Sequence, residues 1–126
     1  MNSKVKIGKS FTFHAAHRLP RHNGKCRRLH GHTYKVEVVL EGELSDLPDS
    51  SEGMVLDFGE LSATMKHIDE VNTLDHGYLN DVLDVPTAEN LACFLLEELM
   101  ALRKYEDLVH SVKVWETDSS WAQALR

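Results

Sequence analysis

His32-Thr33-Tyr34-Lys35-Val36-Glu37-Val38-Val39-Leu40-Glu41-Gly42-Glu43-Leu44 alternates with a period of two: Tyr34, Val36, Val38 and Leu40 share one face, Lys35, Glu37, Val39 and Glu41 the other. This periodicity marks a strand with one side buried and one side turned to water. Upstream, residues 5–19 bring Phe11 and Phe13 in alternation, then small residues, and read as a strand that delivers His17 near its end. Downstream, Asp57 has the form of an N-cap with Glu60 three residues on, and Phe58, Leu61, Met65 and Ile68 recur at helical spacing as far as about Asn72. Thr87, after Pro86, caps a second helix whose apolar stripe is Leu91, Leu95 and Leu99, widened by Ala92 and Leu96. The last segment, 109–125, sets Val112, Val114 and Glu116 on one face, breaks at Asp118-Ser119-Ser120 and resumes as a short strand.

The order strand, strand, helix, helix, strand, strand predicts an α+β fold: a four-stranded antiparallel sheet with two helices on one face, and room for a short extra strand at 54–56. At 126 residues the chain forms one domain, 1–126, and its only linker-like stretch, 45–53, reads as a surface loop. Such a sheet leaves two edges that pairing with other copies would cover. The start, Met1-Asn2-Ser3-Lys4-Val5-Lys6, lacks the apolar run of a signal peptide, and no stretch approaches a membrane span, so the expected location is cytoplasmic. The two cysteines read as free thiols, with Cys93 placed in the core by its apolar helical surroundings.

The chemistry gathers around Cys26-Arg27-Arg28-Leu29-His30-Gly31-His32. In an extended segment His30 and His32 point to one side, where His17 can join them. Three neutral imidazoles on zinc leave a fourth position open, as catalytic sites do; Cys26 can fill that position and close the site, or work beside it. The net charge is −6, yet no acidic residue precedes Glu37, and Arg18, Arg21, Lys25, Arg27 and Arg28 flank the histidines. Such a cluster favours a phosphorylated small molecule over nucleic acid, since the chain as a whole is acidic. Asp75-His76, between the helical patterns, suits a proton relay or an ordinary turn. Glu116, in phase with core valines, requires a partner, either an arginine or the paired N–H donors of a heterocycle.

Phe11-Thr12-Phe13-His14-Ala15-Ala16-His17-Arg18-Leu19, Lys25-Cys26-Arg27-Arg28-Leu29-His30-Gly31-His32, Leu74-Asp75-His76, Pro86-Thr87-Ala88-Glu89-Asn90 and Val114-Trp115-Glu116-Thr117 together resemble the 6-pyruvoyl-tetrahydropterin synthase superfamily, nearly end to end. Within it the chain is most similar to the 6-carboxy-5,6,7,8-tetrahydropterin synthase branch of queuosine biosynthesis, in which three residues separate the cysteine from His-Gly-His; the biopterin branch typically has a longer gap. The resemblance implies the tunnelling fold, with trimers closing a barrel and two trimers stacking into a homohexamer whose active sites lie at subunit interfaces. It implies zinc on His17, His30 and His32, a base at Cys26, a relay through Asp75 and His76, pterin recognition by Glu116, and Thr87 near the pterin as well as capping its helix. The substrate it implies is 7,8-dihydroneopterin triphosphate, with Arg18, Arg21 and Lys25 as candidates for the triphosphate and acetaldehyde as a product. The rivals are the pyruvoyl synthase, which keeps the side chain; an aldolase acting on dihydroneopterin, in which glutamate tends to replace Cys26; and a non-catalytic zinc or pterin-binding module with Cys26 as fourth ligand.

Overall fold

The two longest strands pair along their whole length. In the computed structural model, which describes residues 3–126, β1 (Lys4–His17) and β2 (His30–Glu43) are antiparallel from Lys4 opposite Glu43 to His17 opposite His30. Met1 and Asn2 of the leading segment lie outside the described residues. The alternation in β2 has the expected consequence, since Tyr34, Val36, Val38 and Leu40 are buried and Lys35 is exposed. β4 (Val109–Thr117) continues the sheet beside β2, and β5 (Ser120–Leu125) pairs with β4 across a tight turn at Asp118 and Ser119.

The sheet has five strands and not the four expected. The fifth is β3 (Gly77–Tyr78), two residues long and parallel to β1 at Ala15 and Ala16, giving the order β3-β1-β2-β4-β5. Two residues are too few to leave a periodic trace in sequence. The extra strand expected at 54–56 does not form; there the chain bends towards the first helix, with Leu56 buried. On the edge of β1 away from β2, no strand among the described residues pairs along 4–14, and β5 is the opposite edge of the sheet.

Helices α1 (Phe58–Asn72) and α2 (Ala88–Met100) start at the residues foreseen. Asp57 accepts the Gly59 N–H at 2.6 Å and Thr87 Oγ1 accepts the Asn90 N–H at 3.1 Å. Glu60 does not reach back to complete a capping box; its carboxylate pairs with Lys104. The buried stripe of α1 is Leu61, Met65 and Ile68, whereas Phe58 lies outside it at 49 % exposure. Cys93 is likewise exposed and not core, because Leu91, Ala92, Leu95 and Leu96 take the inner side of α2 and leave position 93 facing out. The helices and the sheet face bearing Phe13, Tyr34, Val36, Val112 and Val114 enclose one core. No helix among the described residues is long and apolar enough to cross a membrane.

Leu61 is fully buried. Leu61→Ala is expected to cost about 2–5 kcal/mol of unfolding free energy in urea at fixed protein concentration. Cys93→Ser, on the exposed side of α2, should shift it by less than about 0.5 kcal/mol.

Candidate metal centre and active site

The register of the β1–β2 pair builds the centre. His17 stands opposite His30, and His32 opposite Ala15, so all three imidazoles end the stripe that Tyr34, Val36, Val38 and Leu40 begin. Their ring centroids lie 4.6, 4.9 and 5.1 Å apart, and one nitrogen from each gathers within 4.8 Å of the others. His17 is fully buried.

Backbone carbonyls fix which nitrogens carry protons. His17 Nδ1 lies 2.8 Å from the Pro86 carbonyl and His30 Nδ1 lies 2.7 Å from the Arg28 carbonyl, and both must donate because a carbonyl only accepts. Tyr34 Oη, 3.2 Å from His17 Nδ1, takes the weaker branch of the same N–H. In the neutral rings the two Nε2 atoms are therefore both acceptors, and they face each other at 3.0 Å. Two lone pairs at that distance repel unless a cation lies between them. His32 Nε2 is buried without a hydrogen-bond partner, with Glu116 Oε1 3.4 Å away. Burial holds the His32 imidazole below its ordinary pKa against the opposing pull of Glu116, and His17 and His30 add to the lowering. With one nitrogen of each ring turned to a common point, the residues fit a divalent ion that favours imidazole.

The Pro86 carbonyl owes its position to the start of α2. Thr87 N–H donates to the Val85 carbonyl at 2.9 Å, Asn90 Nδ2 donates to the same oxygen at 2.8 Å, and Thr87 Oγ1 takes the Asn90 N–H. The Pro86-Thr87-Ala88-Glu89-Asn90 motif is thereby tied to metal-ligand orientation, a link that a backbone acceptor leaves invisible in sequence.

Cys26 sits in a short 3-10 turn (Lys25–Arg27), half-buried. It lines a cavity of about 450 Å³ with Lys25, Arg28, Leu29, His30 and His32. The donor set that gathers contains the three imidazoles and not the Cys26 thiol. Cys26 is therefore beside the centre, not in it. Glu116 does lie on the face of the core valines, and the neighbour it meets within this chain is His32 rather than an arginine.

His76, in contact with Asp75, lines a second cleft with His14, Ala16, Gly31, His32 and Thr33. Their turn is tightly specified: Thr73 and His76 have φ of 52° and 59°, and a Cβ on Gly77 would strike the Thr73 carbonyl oxygen at 1.9 Å. Asp75 accepts the His14 backbone N–H at 2.9 Å and contacts His76 Nδ1 at 2.9 Å. The first of these bonds, then the second, holds its carboxyl below the usual range, so the carboxylate that orients His76 stays ionised in mild acid. Within one chain the structure does not bring this pair into the Cys26 cavity. Thr87 is engaged in its cap, and Arg18 and Lys25 are exposed.

Residues 6–126 match the model of the family described as 6-pyruvoyl tetrahydropterin synthase. The chain belongs to that family. A 6-carboxy-5,6,7,8-tetrahydropterin synthase from Synechocystis is 43% identical over 121 residues, 93% of this chain and 90% of that one. A dihydroneopterin monophosphate aldolase from Pyrococcus furiosus is 33% identical over 113 residues, 90% of each chain. Among solved structures, the 6-pyruvoyl tetrahydropterin synthase of Caenorhabditis elegans superposes with a TM-score of 0.84 at 27% identity, covering 99% of this chain and 97% of that one. The tunnelling fold implied by the motifs is thus the fold observed.

Sequence reasoning did not find Tyr34, the carbonyls of Arg28 and Pro86, or Asn80, whose side chain bonds to the Arg18 backbone. The alternation signal gave Tyr34 a core role, and nothing marks a carbonyl that supports a metal ligand.

Two measurements test the centre. Chelation of divalent metal should lower the calorimetric midpoint of the native protein and leave that of His30→Ala unchanged. Thr87→Ala should cost about 1 kcal/mol through the lost cap and weaken metal binding by about tenfold in a competition titration through the loosened Pro86 carbonyl.

Proposed function

We propose that this chain is a zinc-dependent carbon–carbon lyase that converts 7,8-dihydroneopterin triphosphate and one water to 6-carboxy-5,6,7,8-tetrahydropterin, releasing triphosphate and acetaldehyde, as in queuosine biosynthesis. The observation that carries this reading is the half-buried Cys26 thiol in a cavity shared with His30 and His32 but outside the gathered donor set. A thiol so placed is available to move protons, whereas in a closed structural site it would be a ligand. The 43% identity to the Synechocystis enzyme supports the carboxy product, as does the spacing of three residues between Cys26 and His30.

Zinc bound by His17, His30 and His32 supplies Lewis-acid polarisation of substrate oxygens. Cys26 removes a proton from the substrate side chain, in a loop where Lys25, Arg27 and Arg28 flank it. Glu116 receives the paired N–H donors of the pterin, its negative charge being matched by two adjacent bonds. His76, held by Asp75, exchanges the second proton as triphosphate leaves. Arg18, Arg21 and Lys25 offer the cations that a triphosphate requires. Because His76 lines a cleft that Cys26 does not, the relay serves a substrate bound chiefly to a neighbouring copy, in a homohexamer in which the open edges of β1 and β5 pair to close trimeric barrels and two trimers stack. The location that goes with this role is the cytoplasm.

A pyruvoyl synthase would use the same residues and keep the side chain, a reading favoured by the likeness to the Caenorhabditis elegans structure. Mass analysis of products decides between them: acetaldehyde with a carboxypterin is expected, and a pyruvoyl product without acetaldehyde overturns the carboxy reading. Cys26→Ala should retain a full zinc complement and lose at least about 100-fold in kcat; loss of zinc in that variant would instead place the thiol among the ligands. Asp75→Ala, which leaves Cys26 and the metal ligands untouched, should lower kcat by about 10–100-fold with zinc content unchanged.

A further inference from the structure

The chain that leaves β1 after His17 is held by a side chain from elsewhere in the fold. Asn80 Oδ1 accepts the backbone N–H of Arg18 at 2.9 Å, and Asn80 Nδ2 donates to the Arg18 carbonyl at 2.9 Å. One carboxamide thus satisfies both backbone groups of one residue, as a paired strand would. The backbone ladder beside β1 ends at Ala16 opposite Tyr78, where the chain turns into a 3-10 helix (Leu79–Asp81). Asn80 takes the next place in that ladder with its side chain.

The bond network continues into the loop that bears Cys26. Leu19 N–H donates to the Cys26 carbonyl at 2.8 Å, His22 N–H to the Leu19 carbonyl at 3.0 Å, and Arg28 N–H to the Lys25 carbonyl at 3.0 Å. The loop from 18 to 29 is closed at its base by Leu19 and Cys26, and that base is anchored through Arg18 to Asn80. Except for β3 itself, the same segment bears the Asp75–His76 turn, whose carboxylate holds the His14 N–H on the same strand.

We propose that Asn80 is a positioning residue that fixes Cys26 relative to the metal imidazoles and joins the Cys26 loop to the Asp75–His76 segment in one bonded frame. The proposal rests on the reading of Cys26 as the base. Asn80 touches neither the donor set nor the cavity of Cys26; it acts through the Arg18 and Leu19 backbone. A loop of twelve residues tied only at its ends by strands samples many thiol positions, and a catalytic group displaced by about 1 Å loses on the order of 100-fold in rate.

The test uses the full-length, zinc-loaded protein with Cys93→Ser, so that Cys26 is the one thiol, and compares it with added Asn80→Ala and Asn80→Asp. Amide exchange over residues 18–26 and the rate of Cys26 alkylation by iodoacetamide require no substrate. In Asn80→Ala, exchange over that segment is expected to rise at least about tenfold and the alkylation rate to change, with zinc content and the thermal midpoint of α1 and α2 kept. Turnover should fall in kcat by about 10–100-fold, with KM moved less than threefold. Asn80→Asp keeps the acceptor and the volume but sets an oxygen against the Arg18 carbonyl, so it should fail at neutral pH nearly as Ala does. Unchanged exchange and alkylation in Asn80→Ala overturn the proposal, as does full function of Asn80→Asp, or loss of zinc and fold together in both variants. If the parent protein shows no turnover on the pterin triphosphate, the reading of the substrate fails while exchange and alkylation still decide the role of Asn80.

Discussion

Two imidazole lone pairs meeting at 3.0 Å is the constraint around which this molecule is organised. Each ring is locked into that confrontation by a carbonyl on its far nitrogen, one from the start of α2 and one from the residue pair before β2. A proton shared between the rings or a metal ion bound by both relieves that repulsion, so the hydrogen bonding of the scaffold aims both nitrogens at one point. That convergence is set by strand register. Sliding β2 by one residue against β1 would turn His30 and His32 to the opposite face together with Tyr34, Val36 and Val38, so the core that stabilises the sheet also keeps the ligands in place.

Much of this was legible in the sequence, for reasons of period. Spacing by two set His30 and His32 on one side of their strand, and caps at Asp57 and Thr87 located the starts of both helices. What remained hidden had no period to read. β3 is two residues long, the Pro86 carbonyl has no side chain to announce it, and Asn80 stands in for backbone. Cys93 was misplaced because apolar neighbours on a helix do not reveal which side a small residue takes, and only the position of the stripe does. Phe58 illustrates the same limit at a helix start, where the first turn extends past the edge of the core.

The site divides between two clefts that share His32 in their linings. On one side Cys26 stands beside Lys25 and Arg28, and on the other His76 lines a cleft with Ala16 and Gly31. Such a division keeps Cys26 and His76 in different clefts of one chain. It also separates fixed groups from accessible ones: His17 is tied to the Pro86 carbonyl by a buried bond, whereas the His76 side chain is mostly exposed at 79 %.

The histidines also sit where the long hairpin has least chain to close. His17 and His30 are thirteen positions apart, and every other pair in the β1–β2 register is farther apart in sequence. Loop-closure entropy rises with that separation, so among the contacts of this hairpin those beside the ligands demand the smallest loss of chain freedom. Assembly can therefore proceed like a zip from the ligand end towards Lys4 and Glu43, and an ion captured early by the half-formed hairpin would hold its first rungs together while the helices were still finding the sheet.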